Sequence, residues 1–174
     1  MTLILVTTRY AKEDVALLEI GDALFPYDNK VSVSKVECHR GILLIKTKLS
    51  FNDVVKIIKQ YPPYTVERLI KLDRCFININ ELISDLRGRL KEVDIRNKTL
   101  CLEFKTPETI KRHIKSELGK YLLSLRSLSC KNYDLKLFTS YVCGQYCYSL
   151  SDGSSEFSLR KYREELLRRV VDIK

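Results

Sequence analysis

The chain has 174 residues, of which 45% are hydrophobic and 30% charged, and its 31 Lys and Arg against 22 Asp and Glu give a net charge of +9. This composition excludes a disordered chain, because it supplies enough apolar side chains for a core, and its basic balance favours a polyanionic partner. The apolar run at residues 3–6 is too short for a signal-peptide core or a membrane span. We therefore expect a cytoplasmic protein without membrane contact.

Residues 1–76 carry the pattern of a β-α-β-β-α-β module. Apolar and β-branched runs predict strands, and apolar residues spaced three and four apart predict helices. The predicted elements are a strand at 2–8, a helix at 11–25, strands at 31–36 and 42–48, a helix at 51–61 and a strand at 66–72. Ser50 is expected to cap the second helix and Pro62 to end it. This order is typical of a ferredoxin-like unit, in which two helices cover one face of a sheet.

The rest of the chain predicts a second α/β module and a helical tail. The predicted elements are a helix at 78–90, a strand at 99–104, a long helix from 106 to about 126, a hairpin of strands 133–142 and 145–150, a flexible joint at 151–155 and an amphipathic helix at 157–173. We therefore predict an α+β protein with three segments. These are a ferredoxin-like module (1–76), an α/β core (77–150), and a linker with a C-terminal helix (151–174).

Positive charge is concentrated after residue 76. Residues 1–76 hold 12 Lys and Arg against 9 Asp and Glu, whereas residues 77–174 hold 19 against 13. Cations spaced along a solvent-facing helix suit phosphates, which add affinity without reading sequence. The candidate RNA-binding residues are Lys105, Lys111, Arg112, Lys115, Lys120 and Arg126. The alternative is an ordinary solvated helix face.

The tail carries a second basic cluster, diluted by acidic residues. Its cations are Arg160, Lys161, Arg163, Arg168 and Arg169, and Glu164 and Glu165 lie among them. The apolar stripe of this helix favours docking onto the body of the protein or onto a second copy over RNA contact. A homodimer through the C-terminal helix is therefore an open alternative.

The sequence offers no recognisable catalytic or metal site. Six cysteines are scattered through apolar runs, without the spacing of a zinc ribbon, and are expected to be small buried hydrophobic residues without cross-links. His39 and His113 lack metal-ligand spacing, and no glycine-rich phosphate loop occurs. We expect a non-catalytic protein without a metal or cofactor. A small enzyme using surface carboxylates and His113 is the remaining alternative.

Several stretches resemble a known family. Residues 3–9, 41–47 and 66–73 resemble the ferredoxin-like part of stand-alone THUMP proteins. Residues 99–105, 133–139 and 143–150 are similar to the THUMP strand and its closing hairpin. The resemblance covers roughly residues 2–150. It is closest to the THUMP adaptor of the tRNA N4-acetylcytidine acetyltransferase.

This resemblance implies binding of tRNA at its acceptor stem and 3′ CCA end. Because residues 151–174 are too few for a catalytic domain, it implies a non-catalytic adaptor that presents tRNA to a separate-chain RNA acetyltransferase. Many THUMP modules carry an Arg-Gly element after the strand that here ends at Phe104, whereas this chain has Lys105-Thr106-Pro107. The alternative function is a protein-interaction or dimerisation module with incidental basic charge.

Overall fold

The computed structural model describes residues 1–171, so the end of the predicted tail helix at 172–173 lies outside the described residues. In chain order the elements are β1 (Thr2–Thr8), α1 (Glu13–Leu24), β2 (Ser32–Lys35), β3 (Ile42–Thr47), α2 (Phe51–Gln60), β4 (Val66–Leu72), β5 (Arg74–Phe76), α3 (Ile79–Glu92), β6 (Thr99–Lys105), α4 (Glu108–Glu117), α5 (Gly119–Leu122), β7 (Ser127–Leu128), β8 (Leu135–Val142), β9 (Gln145–Ser151), β10 (Glu156–Ser158) and α6 (Leu159–Val171).

The chain divides into two compact units. Among the described residues, the first unit contains Met1–Lys71 together with 156–171, and the second contains Leu72–Ser155. The domain organisation predicted from the sequence stays a prediction, with segments at 1–76, 77–150 and 151–174. None of the helices in residues 1–171 combines the length and apolar character that a membrane span needs.

The first unit is a five-stranded sheet with the order β10-β4-β1-β3-β2. β1 and β3 are antiparallel, with Ile4 opposite Ile45, and both side chains are fully buried. α1 and α2 contribute Ile20 and Ile58 to the same core. Ser50 caps α2 as predicted, because its side chain accepts a hydrogen bond from the backbone N–H of Asp53. The predicted ferredoxin-like β-α-β-β-α-β order is confirmed.

The end of the chain belongs to this first unit. Glu156–Ser158 was predicted as part of the linker and tail helix but forms β10, which pairs with β4 and places Phe157 opposite Leu69. An ion pair of 2.5 Å between Glu156 and Arg68 joins the same two strands. α6 then begins at Leu159, whose side chain is fully buried in the core of the first unit.

The second unit is a five-stranded sheet with the order β5-β9-β8-β6-β7. β6 runs parallel to β7 and β8, whereas β8 and β9 form the predicted antiparallel hairpin. Its turn is tight, since Cys143 and Gly144 have φ values of 43° and 86°. Leu86 of α3, Leu137 of β8 and Tyr148 of β9 are fully buried in the core of this unit.

The prediction of one long helix from residue 106 to about 126 was wrong. α4 ends at Glu117, α5 is a single turn at Gly119–Leu122, and the chain is extended again by β7. The backbone N–H of Arg126 donates to the carbonyl of Lys98 at 3.0 Å, and β7 then pairs with β6. These sheet contacts require an extended backbone, which overrides the local helical pattern.

The expectation of uncrosslinked cysteines was also wrong. Cys75 of β5 lies opposite Cys147 of β9 in the sheet, and the two form a disulfide with Cα atoms 4.0 Å apart. A second disulfide joins Cys101 of β6 to Cys130, with Cα atoms 4.5 Å apart. The bonded residues are 72 and 29 positions apart, so the tertiary fold and not local spacing brings them together.

Candidate nucleic-acid interface

One face of α3 builds half of a polar cleft in the second unit. Leu82, Leu86 and Leu90 of α3 are buried against the sheet. The opposite face of the helix presents a stripe with the spacing i, i+3, i+4 and i+7. The stripe consists of Ser84, Arg87, Gly88 and Lys91. It forms one wall of a cleft of about 660 Å³.

The other wall comes from the end of α4 and from α5. The residues that line this side are Ser116, Glu117, Lys120 and Tyr121. They reach the cleft because Ile114 of α4 and Leu118, the residue that follows the helix, are buried in the core, so that the other side of the helix end faces outward. The cleft therefore combines cations with hydroxyl groups and one half-buried aromatic ring.

An ion pair joins the two walls. The Arg87 guanidinium donates hydrogen bonds to the side-chain carboxylate of Glu117 at 2.5 Å and to its backbone carbonyl at 3.0 Å. Lys91 and Lys120 have no carboxylate partner within residues 1–171. Three cations against one carboxylate leave the cleft positively charged, with two ammonium groups free to bind phosphate.

The structure gives the six predicted cations different environments. Lys111 and Arg112 both pair with Glu108, at 3.1 and 3.6 Å. The hydrogen bond from Lys111 holds the pKa of Glu108 below its usual value. Because these two cations already share a carboxylate, their positive charge is partly neutralised.

Arg126 is also held by neighbouring side chains. Its guanidinium donates to Thr99 Oγ1 at 2.8 Å and lies 3.3 Å from a carboxylate oxygen of Asp134. These contacts join the chain before β7 to the start of β6. In this structure the Arg126 side chain therefore stabilises the second unit.

The remaining candidates, Lys105, Lys115 and Lys120, have no carboxylate partner in the described part of the chain. The Lys115 ammonium lies 5.7 Å from the ring centroid of Phe104, the residue before Lys105, so both lysines lie near the end of β6. Lys120 lies in the cleft with Arg87 and Lys91. The structure does not gather the six candidates into one site.

Sequence reasoning missed Arg87 and Lys91, which lie on the helix predicted only to pack against the core. Their spacing relative to Ser84 could have identified one polar stripe on α3. That α3 faces the end of α4 depends on tertiary packing, which the sequence pattern does not contain.

A second cavity of about 550 Å³ lies on the other flank of α3, but its charge is mixed. Its charged lining consists of Arg74 and Arg89 with Glu81, Asp85 and Glu92. Arg74 pairs with Asp85 at 2.5 Å, and the Tyr148 hydroxyl donates to the same carboxylate. Burial and this hydrogen bond raise the pKa of Tyr148. This network ties α3 to β5 and β9 and does not suit a polyanion.

Within residues 1–171, no three His, Cys, Asp or Glu side chains gather as a metal-binding group. The positive cleft between α3 and α4–α5 is the candidate interface, because its ammonium and hydroxyl groups suit phosphate.

No protein-family model and no curated protein matches the chain, but several solved structures share its fold. PH1313 from Pyrococcus horikoshii has a TM-score of 0.60 at 14% identity, and the match covers 91% of this chain and 55% of PH1313. A 4-thiouridine synthetase, solved with RNA and bound ATP, has a TM-score of 0.54 at 11% identity, covering 91% of this chain and 42% of the synthetase. TrmN from Thermus thermophilus has a TM-score of 0.55 at 13% identity, covering 86% of this chain and 45% of TrmN.

The chain has a THUMP-like fold. The predicted α+β class, with a ferredoxin-like module, a THUMP-like α/β core and a C-terminal helix, is confirmed. At identities of 11–14% the likeness shows the fold alone. The chain spans about half the length of these three proteins, with coverages of 42–55%.

Proposed function

We propose that this chain binds tRNA and presents it to a base-modifying enzyme on a separate chain. The observation that carries the proposal is the cleft of the second unit, where Lys91 and Lys120 have no carboxylate partner in residues 1–171 and flank Arg87. The fold shared with a 4-thiouridine synthetase solved in complex with RNA supports the same function.

Phosphate contacts supply the affinity in this proposal. Lys91 and Lys120 bind backbone phosphates, and Ser84 and Ser116 add hydroxyl donors. Tyr121 offers a ring on which an unpaired base can stack. Lys105 and Lys115 extend the positive surface toward the end of β6. Lys111, Arg112 and Arg126 can contact RNA phosphates only by breaking their present ion pairs with Glu108 and Asp134.

The finer function rests on the family resemblance. We propose recognition of the acceptor stem and 3′ CCA end, and delivery of the tRNA to an RNA acetyltransferase that forms N4-acetylcytidine. In this proposal the chain is non-catalytic, uses no cofactor and acts in the cytoplasm. Disulfides such as Cys75–Cys147 and Cys101–Cys130 are rare in cytosolic proteins outside hyperthermophiles, so a cytoplasmic location requires such a source.

The test is a salt-titrated binding assay with intact tRNA and with the same tRNA lacking its 3′ CCA. Loss of affinity on trimming is the expected result, because single-stranded ends offer bases for stacking as well as phosphates. Equal affinity with a steep salt dependence would replace end recognition by general phosphate attraction. Absence of binding to either RNA would contradict the proposed function.

A second candidate function is homodimerisation through α6. The N-terminal half of α6 is anchored in the first unit, since Arg163 donates to the backbone carbonyls of Pro63 and Val66 at 2.8 and 2.7 Å. Further along the helix, Leu167 is 67% exposed. We expect Leu167→Asp to abolish a dimer in sedimentation velocity if α6 forms the interface. A monomeric wild-type chain would exclude this candidate.

A further inference from the structure

α1 of the first unit has two apolar faces. Ala16, Ile20 and Leu24 are fully buried beneath the helix. Val15, Leu18 and Phe25, spaced i, i+3 and i+10, lie on the opposite side and are 46%, 63% and 60% exposed. A helix at a protein surface normally presents a polar face to water. The outer face of α1 is therefore an unpartnered apolar surface.

The same helix is strongly acidic within a basic chain. Residues 13–24 contain four carboxylates and no Lys or Arg, whereas the chain carries a net charge of +9. Glu13 accepts from the backbone N–H of Gly41, and Glu19 accepts from those of Tyr64 and Thr65. These two carboxylates therefore have structural partners within the first unit.

Asp22 differs from the other acidic residues of α1. Asp14 pairs with Lys35, but Asp22 has no ion-pair partner in the described chain. Asp22 lies four residues after Leu18 and three before Phe25, so it belongs to the exposed apolar stripe. An unpaired carboxylate inside an apolar surface favours a cationic group from a partner.

A cavity of about 320 Å³ opens beside this stripe. It is lined by Ala23, Pro26, Tyr27 and Tyr61, together with Glu19 and Asp22. Tyr27 and Tyr61 are 52% and 60% exposed, so their rings are accessible. Aromatic faces next to carboxylates suit an arginine or lysine side chain, through cation–π contact and charge-assisted hydrogen bonds.

We propose that this surface, the α1 face (Val15, Leu18, Asp22, Phe25, Tyr27 and Tyr61), docks a basic amphipathic segment of a partner protein. A cationic side chain of the partner enters the cavity between the tyrosines and pairs with Asp22. Its apolar side chains cover Val15, Leu18 and Phe25. Such a surface repels RNA, so this site goes beyond the proposed tRNA binding, which lies in the second unit.

The negative charge of α1 favours a basic amphipathic segment over other ligands. A nucleic acid or an acidic peptide would bring like charge against Glu19 and Asp22, the carboxylates that line the cavity. A purely apolar segment would leave Asp22 buried without a partner, which is costly. A basic segment with one apolar face satisfies both the stripe and the carboxylate.

The test uses the full chain and two synthetic helical peptides of about 16 residues, or roughly four turns. Both carry leucine on one face, and the remaining positions are Arg in one peptide and Glu in the other. Fluorescence anisotropy should show binding of the Arg peptide alone, weakening as salt rises. Asp22→Arg and Leu18→Asp should each weaken it by roughly tenfold or more, with Leu18→Ser as a milder second variant.

Matched controls separate the α1 face from general charge and apolar effects. Glu165→Arg reverses another exposed carboxylate, and Ile77→Asp changes another exposed apolar residue, one that is 79% exposed. Both controls should bind the Arg peptide like the wild type. tRNA affinity should not fall in Asp22→Arg, which separates failure of this proposal from failure of the proposed function.

Three outcomes would overturn the proposal. One is equal binding of the two peptides, or no binding of the Arg peptide. Another is unchanged affinity in Asp22→Arg with the wild-type fold retained in circular dichroism. The third is a wild-type dimer that dissociates in Leu18→Asp, which would assign the α1 face to a second copy of the chain.

Discussion

Arg87 of α3 binds both the side chain and the backbone carbonyl of Glu117, where α4 ends. One guanidinium therefore fixes the separation of the two walls of the cleft. The same pair places the cleft's one carboxylate beside its cations, so Glu117 positions Arg87 and also opposes phosphate binding.

Removing the charge of Glu117 should strengthen RNA binding. In Glu117→Gln the backbone carbonyl still accepts from Arg87, while the negative charge in the cleft is lost. We expect tRNA affinity to rise by roughly threefold to tenfold at low salt, because the net potential of the cleft increases. Unchanged affinity in the salt-titrated tRNA assay would contradict phosphate binding in the cleft, whereas a loss would show that the positioning of Arg87 outweighs the charge of Glu117.

Arg163 should contribute more to stability than a neighbouring exposed arginine. Its guanidinium donates to two backbone carbonyls and pairs with Glu67, and its side chain is only 17% exposed. Arg163→Ala should lower the free energy of unfolding by about 2 kcal/mol, because buried carbonyls lose their donor. Arg160→Ala, which removes an exposed pair with Glu164, should cost about 0.3 kcal/mol in the same urea titration. Equal effects would show that α6 is not anchored by Arg163.

The disulfides Cys75–Cys147 and Cys101–Cys130 should stabilise the second unit. They span 72 and 29 residues, so the chain-entropy model assigns them about 4.4 and about 3.6 kcal/mol respectively. Reduction, or the double variant Cys75→Ser and Cys147→Ser, should lower the Tm. Alkylation under native conditions followed by mass spectrometry should leave Cys75, Cys147, Cys101 and Cys130 unmodified. Modification of any of these four would contradict the bonds described.

Asp28 should make stability depend on pH in the acid range. Its carboxylate accepts from the backbone N–H groups of Lys48 and Lys30 and from the Thr47 hydroxyl, and these bonds lower its pKa. Because the folded pKa lies below the unfolded value of about 3.9, the stabilisation is present above that pH and is lost as the pH falls through the folded pKa.

The measurement for Asp28 is thermal unfolding of the wild type and Asp28→Asn between about pH 2 and pH 6. The Tm difference should be largest near neutral pH and should shrink on acidification. A constant difference across this range would contradict the assigned hydrogen bonds.

The first unit could be predicted from the sequence because its signals are local. A continuous apolar run defines β1, and apolar residues interspersed with charged ones define β4. Ser50 caps α2, and Gly41 turns the β2–β3 hairpin with a φ of 74°. The strand β10 was missed, since three residues carry little pattern and their pairing with β4 depends on tertiary contact.

The second unit depends more on contacts between distant residues. Gly119 follows the C-cap of α4 and is a typical helix-stop residue, but the pairing of β7 with β6 depends on tertiary contact. The pairing of the cysteines also depends on the folded sheet, and the ion pair between Arg87 and Glu117 depends on how the helices pack. The six predicted cations stay candidate RNA contacts, and the structure adds Arg87 and Lys91 to them.

The most direct test of the account is the salt dependence of tRNA binding in the double variant Lys91→Glu and Lys120→Glu. Its control is Lys30→Glu with Lys56→Glu, which reverses two exposed lysines of the first unit. If both cleft lysines contact phosphates, the plot of log binding constant against log salt concentration should become less steep by about 2, and the affinity should drop. The control should keep the wild-type slope. Unchanged slope and affinity in the cleft variant would contradict tRNA binding at this site.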